Sequence, residues 1–188
     1  MSGEAIQPGG RPPAPGELAL VQAFINTHYD LEHVHGAELL ADPAALARWL
    51  RERDLVAGRT ALDRRELDRA LALREGLREL ARGDRRALAR LNDAARGAVA
   101  GVTLSVSGPR FVAPADAGLD GAVGRLLAIV AAAMIDGSWS RLKICPGDDC
   151  GWAFYDHSRN QTGRWCSMSV CGGRAKARAH YRRRRRTH

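Results

Sequence analysis

The sequence predicts a mainly α fold with a small β element (α+β), in which a helical N-terminal domain precedes a small cysteine-bearing module. Three observations support this prediction. Ala and Leu make up much of the 45% hydrophobic fraction and only 5% of residues are aromatic, a bias that favours helical interiors. Apolar residues recur at helical spacing over most of residues 17–136. All four cysteines lie between residues 145 and 171, where the composition changes abruptly.

Composition divides the chain into three parts. Residues 1–15 are rich in Gly and Pro and lack the hydrophobic segment of a signal peptide, so we expect a disordered N-terminal segment there. Residues 16–138 carry the helical patterns and form the predicted N-terminal domain. Residues 139–188 contain the cysteines, an aromatic cluster and a basic C-terminal helix or tail.

Capping signals and apolar periodicity place the elements of the N-terminal domain. Asp42 is suited to cap a helix that Pro43 begins, and Gly83-Asp84 ends one helix and starts another. VTLSVS (102–107) and RFVAP (110–114) alternate around a turn and predict a two-stranded hairpin. The helices are expected over residues 17–29, 43–50, 62–82, 85–97 and 119–136.

Positive charge is concentrated at the C-terminal end. Residues 1–140 hold 17 Lys+Arg against 18 Asp+Glu, whereas residues 141–188 hold 12 against 3, a net charge of +9. A neutral body joined to so basic a module indicates a polyanionic partner, with duplex DNA the first to consider. No stretch is apolar for long enough to span a membrane, so no membrane partner is expected. We expect the chain in the cytoplasm, where thiols stay reduced.

The cysteines are paired: Cys145 and Cys150, then fifteen residues, then Cys166 and Cys171, each pair in a C-x4-C spacing. Zinc takes four thiolates in a tetrahedron, and two cysteine pairs separated by a short excursion supply them. Disulfides would need an oxidising compartment and a redox dithiol normally shows C-x-x-C, but an iron–sulfur cluster uses the same ligands and stays open. Four thiolates leave no position for water, so one structural zinc ion per chain is expected.

The module is expected to fold on a treble-clef-like plan. Cys145-Pro146-Gly147 is typical of a zinc knuckle, a tight turn that presents two thiolates. GWAFYD (151–156) would be a strand, and RWC (164–166) would return antiparallel to it. A helix is expected from about Ser167 onward, so that thiolate charge lies near the positive end of its dipole.

The stretch CPGDDCGWAFYDHSRNQTGRWCSMSVCGGRAKARAH, within residues 142–180, resembles the CGNR-type zinc finger of bacterial proteins. The shared features are the paired cysteines, W-x-F-x-D, SRN, RWC-S-M and C-G-x-R-x-K. In that family the finger follows an N-terminal domain called ABATE, to which ALVQAFINT (19–27) and ELLADPAALARWL (38–50) are similar. The family is regarded as stress-induced transcriptional regulators. The resemblance therefore implies zinc binding and DNA binding. The N-terminal domain is expected either to sense a small-molecule effector or to mediate assembly.

One residue departs from the family pattern. The name-giving C-G-N-R reads Cys171-Gly172-Gly173-Arg174 here, so Gly173 lacks the amide that Asn would offer for binding or capping. The ligand and the arginine are kept. The resemblance also implies a bacterial-type cytoplasmic protein, associated with the nucleoid when bound to DNA.

Basic residues of the C-terminal module are the nucleic-acid candidates, because guanidinium groups suit phosphates and can pair bidentately with guanine. The candidates are Arg174, Arg178, Arg182 and Arg185 on one helical stripe, Lys176 and Arg183 beside it, and Arg159 and Arg164 on the expected hairpin loop. A charge run can equally be a solvated surface, and the consecutive arginines 182–186 repel one another and could fray.

The alternative interpretation is a zinc-stabilised module for RNA or a protein partner, with a basic tail that attracts polyanions non-specifically. No catalytic constellation is evident, so the sequence does not predict an enzyme. His33 and His35 lack further ligands nearby, and Ser158 lacks a paired base and acid. Glutamates 66, 75 and 79 lie among arginines and predict surface ion pairs. The oligomeric state stays open, with a dimer among the alternatives.

Overall fold

The computed structural model describes residues 7–29, 37–98, 101–106, 108–112, 115–148 and 150–186. That part of the chain contains six α-helices and three two-stranded antiparallel sheets, so the predicted α+β class is confirmed. His33 and His35 lie outside the described residues.

Four helices of the body lie close to their predicted positions. Asp42 caps α2 (Pro43–Arg51) by accepting a hydrogen bond from Ala45 N at 2.7 Å. Asp63 and Glu66 form a reciprocal capping box at the start of α3, with both hydrogen bonds at 2.8 Å. The helices are α1 (Leu18–Ile25), α2 (Pro43–Arg51), α3 (Arg64–Ala81) and α4 (Ala87–Ala94).

Two small hairpins join the helices of the body. Strands β1 (His28–Tyr29) and β2 (Ala37–Glu38) pair directly after α1. Strands β3 (Gly101–Ser105) and β4 (Gly108–Val112) form the hairpin that alternation predicts, although residues 107, 113 and 114 of the predicted segments lie outside the described part.

Helix α5 (Gly118–Ile135) corrects the expectation that no stretch is apolar for long enough to span a membrane. Its 18 residues have a mean hydropathy of 1.7, long and apolar enough to cross a membrane by length and composition. However, 56% of the helix is buried inside the protein, where it packs on α1 and α3. Burial of this kind is typical of a core helix, whose apolar residues pack against neighbouring helices.

The cysteine module is built on a third hairpin and a long terminal helix. Strand β5 (Leu142–Ile144) pairs with β6 (Ala153–Tyr155), and a π-helical turn (Met168–Gly172) leads into α6 (Gly173–Arg186). Segment 164–166 does not return along β6, so that part of the predicted plan is wrong. The reason is that Leu142 and Ile144 bury their side chains in the core and bring β5 to β6 as its partner.

The module and the body share one hydrophobic core. Leu142, Ile144, Ala153 and Tyr155 of the module pack in the same cluster as the buried faces of α1, α3 and α5. A second, smaller cluster surrounds the cysteines and contains the buried rings of Trp152 and Phe154. The predicted boundary at residues 138–139 falls at the short turn Ser138–Arg141, which connects α5 to β5.

Residues 7–13, within the segment for which disorder is expected, lie against the cysteine module in the structure. Pro8–Gly10 forms one 3-10 turn, and Arg11 hydrogen-bonds to carbonyl groups more than 140 residues away, with sequence separations of 144 to 155. These long-range partners fix a segment whose Gly and Pro content alone favours disorder.

Candidate metal centre and basic helix

The four cysteines converge in a buried cluster. Their Sγ atoms all lie within 4.8 Å of one another, and Cys166 Sγ is 3.6 Å from the Sγ atoms of both Cys150 and Cys171. A tetrahedral zinc ion with Zn–S bonds of about 2.3 Å holds its sulfurs about 3.8 Å apart. A disulfide needs about 2.0 Å, so these are free thiols at the spacing of metal ligands.

Two local turns present the thiols. In the first, Cys150 N donates to Gly147 O at 3.2 Å, and Cys145 N donates to Trp152 O at 2.9 Å, which ties the knuckle to the start of β6. In the second, Ser167 Oγ accepts a hydrogen bond from Val170 N at 3.3 Å and caps the turn that carries Cys171. The knuckle and the expected helix start are therefore present.

The thiols are too close to ionise together without a cation. Hydrogen bonds from Cys150 and Cys166 lower the pKa of Cys145. Hydrogen bonding to Cys145 raises the pKa of Cys150 and of Cys166, and burial raises the pKa of Cys171. A divalent metal supplies the positive charge that lets four thiolates coexist, so this donor set fits one structural zinc ion.

A buried ion pair organises the loop between β6 and Cys166. The fully buried Asp156 carboxylate accepts hydrogen bonds from Lys143 Nζ at 2.7 Å, Gly163 N at 2.7 Å and Ser158 N at 3.0 Å. Burial raises the pKa of Asp156, but these hydrogen bonds outweigh it and hold the pKa below its usual range. A Cβ at Gly163 would lie 2.6 Å from the carboxylate, so the loop can close only on a glycine.

Side chains of the body bind the main chain of the module beside the cysteines. The Asn26 amide donates to Ala153 O at 2.9 Å and accepts from Ala153 N at 2.7 Å, as a neighbouring strand would. Arg78 Nη1 donates to Gly151 O at 3.0 Å, directly after Cys150. The position of β6 therefore depends on the end of α1 and on α3.

Glu79 pairs with the exposed Arg90, as expected for a surface ion pair, whereas the partners of Glu75 are two buried arginines of α3. Arg74 makes a bidentate pair with Glu38, both bonds at 2.7 Å, and also contacts Glu75. Arg78 is likewise buried and donates to the carbonyls of Ile25 and His28 at the end of α1. Position could have revealed them, because Arg74 follows the buried Leu67 by seven residues and so lies on the same helical face.

The candidate basic residues occupy two places. Arg159 and Arg164 are exposed on the loop that Asp156 organises, with the Arg164 guanidinium 5.3 Å from the centre of the Trp165 ring. The others lie along α6, which continues through Arg186. Lys176, Arg182, Arg183 and Arg185 are exposed, whereas Arg174 and Arg178 are half-buried on the predicted stripe. Arg178 pairs with Asp148 at 3.4 Å.

Reasoning from sequence missed four residues that support the metal centre: Arg11, Gln22, Lys143 and Arg78. Asn26 occupies the C-cap position of α1, and its side chain also binds β6. The His157 side chain is exposed, with its ring centre 4.8 Å from that of Tyr155. It is not part of the metal-binding cluster, which consists of the four cysteines.

Two family models match the chain. One, described as the CGNR zinc finger, matches residues 141–184. The other, ABATE, described as "Putative stress-induced transcription regulator", matches residues 18–137. No curated protein is similar enough to the chain to count as a match. Both matched families are of regulator or zinc-finger type, and the bounds fall on the helical body and on the cysteine module.

Proposed function

Because the chain belongs to the ABATE family of regulators and carries a CGNR zinc finger, we propose that it is a zinc-dependent DNA-binding transcription regulator. One observation carries the proposal: a basic helix of 14 residues starts directly at a cluster of four cysteines that can hold zinc. The metal would fix the start of this helix against the hairpin, and the body would fix the hairpin.

Charge favours a nucleic acid as the partner of this helix. Residues 141–188 carry a net +9, which four thiolates with one Zn²⁺ would lower to about +7. Phosphate contacts from Arg and Lys release counterions from DNA and supply most of the binding free energy at low salt. The body is close to neutral, so the attraction is directed to one end of the molecule.

The exposed residues of α6 and the loop arginines would make the first contacts. Lys176, Arg182, Arg183 and Arg185 are open to solvent, so they can reach phosphates. Arg178 would exchange its ion pair with Asp148 for a phosphate. Asp148 is mostly exposed, so this exchange has a small cost.

Fluorescence anisotropy with labelled duplex DNA tests the proposal on zinc-loaded, full-length protein. We expect log Kobs to fall with log salt at a slope of about −4 to −5, which corresponds to about five neutralised phosphates. Removing zinc with a chelator should abolish binding at the salt concentration where the loaded protein binds. No binding by loaded protein at low salt would contradict the proposal.

A matched pair of variants separates α6 from general positive charge. Replacing Arg182, Arg183 and Arg185 by Gln should reduce the salt slope by about 2 to 3, because each lost phosphate contact removes about one unit. Replacing three exposed body arginines, at positions 59, 65 and 85, removes the same charge and should leave the slope near its original value. Equal effects of the two triples would place the DNA elsewhere on the chain.

A second candidate function is a general polyanion-binding module for RNA or an acidic protein. It is favoured by the consecutive arginines 182–185, which the helical repeat distributes around most of the circumference of α6 rather than along one face. Competition between duplex DNA, structured RNA and heparin distinguishes the two. A clear preference for the duplex supports regulation of transcription, whereas equal affinities support the alternative.

We also propose that the body senses an effector and that the protein acts in the cytoplasm, associated with the nucleoid when bound to DNA. An open groove of about 430 Å³ between α2 and residues 60–62 is one candidate for the effector site. A thermal-shift screen against metabolites tests this role. A ligand of the groove should lose its effect in Ala44→Trp, because Ala44 is an exposed wall of the groove.

A further inference from the structure

An N-terminal strap, residues 7–14, crosses the zinc module and is anchored at both ends. At one end, Gln7 Oε1 accepts hydrogen bonds from Trp152 Nε1 and Gln22 Nε2, both at 3.0 Å. At the other end, Ala14 N donates to Gln22 Oε1 at 2.7 Å. Gln22 is fully buried, so the strap is fixed to the body by the same side chain that binds Ala153 of β6.

Between these anchors, the Arg11 guanidinium lies in a site on the module that consists of three carbonyl groups and one aromatic ring. Its Nε, Nη1 and Nη2 atoms donate to the carbonyls of Cys166, Tyr155 and Trp165 at 3.2, 3.3 and 3.3 Å. Its Cζ lies 5.0 Å from the centre of the Phe154 ring. Three carbonyl acceptors and an aromatic ring match the planar, fork-shaped donor set of a guanidinium and would suit an ammonium poorly.

This contact joins the two halves of the metal centre. Tyr155 ends the strand that follows Cys150, and Trp165 directly precedes the ligand Cys166. Segment 164–166 does not pair with β6, so its carbonyls lack the strand partner that a three-stranded module would provide. Arg11 supplies that link from the far end of the chain.

The strap also abuts the start of the basic helix. Gly9 has φ +73°, and a Cβ there would lie 2.7 Å from Ser167 Oγ, the hydroxyl that caps the turn before α6. Gly10 has a similar φ of +66°, but a Cβ there would meet nothing within 4 Å. The two glycines share the same backbone requirement and differ in contact with the module.

We propose that the zinc module contains a guanidinium-binding site, that Arg11 is its ligand within the chain, and that this contact controls how fast the cysteines release zinc. The strap lies outside both family matches, which cover residues 18–137 and 141–184. The proposal requires the four-cysteine zinc site and is independent of DNA binding. Groups that fix a metal ligand from outside its coordination sphere typically change metal affinity about 10- to 100-fold.

Zinc transfer from the full-length protein to a chromogenic chelator measures the effect. Arg11→Ala should transfer zinc at least about tenfold faster than the unchanged protein. Arg11→Lys keeps the charge but loses the fork, so it should stay close to Arg11→Ala. Arg59→Ala removes an exposed arginine of the body and should leave the rate unchanged. A wild-type rate for Arg11→Ala would overturn the proposal.

Chemical rescue tests whether the site recognises a guanidinium. Millimolar methylguanidinium added to Arg11→Ala should slow zinc transfer towards the rate of the unchanged protein, whereas methylammonium at the same concentration should not. If neither cation, or both equally, slows the transfer, Arg11 acts as a packing or charge residue and the proposed site is wrong.

The glycine pair tests the strap without altering Arg11. Gly9→Ala and Gly10→Ala both force a side chain into a left-handed backbone conformation, so both carry a similar backbone cost. The contact with Ser167 is specific to Gly9, so Gly9→Ala should release zinc several-fold faster than Gly10→Ala. Equal rates, with circular dichroism showing both variants folded, would contradict the role of the strap.

Discussion

Asp156→Asn should destabilise the zinc-loaded protein, because the carboxylate is fully buried and serves three donors at once. One oxygen accepts from Lys143 Nζ and Gly163 N, and the other accepts from Ser158 N. Asparagine has a single acceptor oxygen. Its best orientation keeps the first two donors and turns its own NH₂ group towards Ser158 N.

The magnitude follows from these contacts. A buried donor left without an acceptor costs about 1–3 kcal/mol, and losing the charge assistance of the Lys143 bond costs about 1 kcal/mol. Lys143 is 27% exposed, so solvent screens part of the second contribution. We therefore expect the free energy of unfolding to fall by about 2–4 kcal/mol, with the Gly163 loop the first region to open.

Urea unfolding of zinc-loaded protein, followed by tryptophan fluorescence, measures this loss. Asp136→Asn is the matched control, since Asp136 also accepts a backbone hydrogen bond, from Ser138 N at 2.7 Å, but is exposed. An asparagine there keeps its acceptor oxygen and should leave the unfolding midpoint near that of the unchanged protein. A midpoint for Asp156→Asn that equals the control would refute the reasoning.

The pH dependence supplies a second test of the same pair. Burial raises the pKa of Asp156, but the hydrogen bonds from Lys143, Ser158 and Gly163 lower this pKa by more than burial raises it. The pKa in the folded protein therefore lies below the unfolded value of about 3.9. The stabilisation is therefore present above that pH and is lost as pH falls through the folded pKa. The difference between the unchanged protein and Asp156→Asn should shrink below about pH 4.

Three further outcomes are expected. Gly173 has helical φ and ψ (−61°, −47°) and a Cβ there would meet Met168 O at an ordinary 3.5 Å, so Gly173→Ala should raise unfolding stability by about 0.4–1 kcal/mol in urea titrations. Burial raises the pKa of Glu38, but hydrogen bonds from Arg74 hold it below its usual value. The unchanged protein should therefore be more stable than Glu38→Gln at pH 7, and this difference should shrink below about pH 4. Thermal melts measure the difference. Chelating zinc should reduce the far-ultraviolet helical signal by about the share of α6, because an isolated basic helix of that length is marginal in water.

The helices of the body could be predicted because their signals are local. Two adjacent residues, Asp42 and Pro43, mark the start of α2. In α3 the apolar residues recur every turn of the helix, so a short window of sequence reveals the pattern. The zinc ligands could be predicted equally well, because four cysteines in a symmetric spacing fit few kinds of site other than a metal centre.

The partner of β6 could not be chosen from local pattern. β5 is three residues long, L-K-I, and no turn signal distinguishes it from RWC as the returning strand. What decides the pairing is the shared core, because Leu142 and Ile144 reach the buried face between α3 and α5. Tertiary burial of this kind overrides a short strand's own preference.

The strap was missed for a related reason. A segment rich in Gly and Pro is expected to be disordered, because composition reports only how the segment behaves without distant contacts. Arg11 is held instead by three carbonyls at sequence separations of 144 to 155, and nothing in the neighbouring sequence announces them. A single arginine in a Gly/Pro-rich segment is the only local sign, and it does not identify a partner.

These contacts also connect the body to the start of α6 through the metal centre. Asn26 binds both main-chain groups of Ala153, and Arg78 joins the ends of α1 and β1 to Gly151. Ala153 and Gly151 lie directly after the ligand Cys150, so a shift of the α1 end moves one half of the metal site relative to the other. The strap ties the second half, through Cys166, to the same helix by way of Gln22. Both halves of the metal centre are therefore held by α1, so the start of the basic helix depends on the position of that helix.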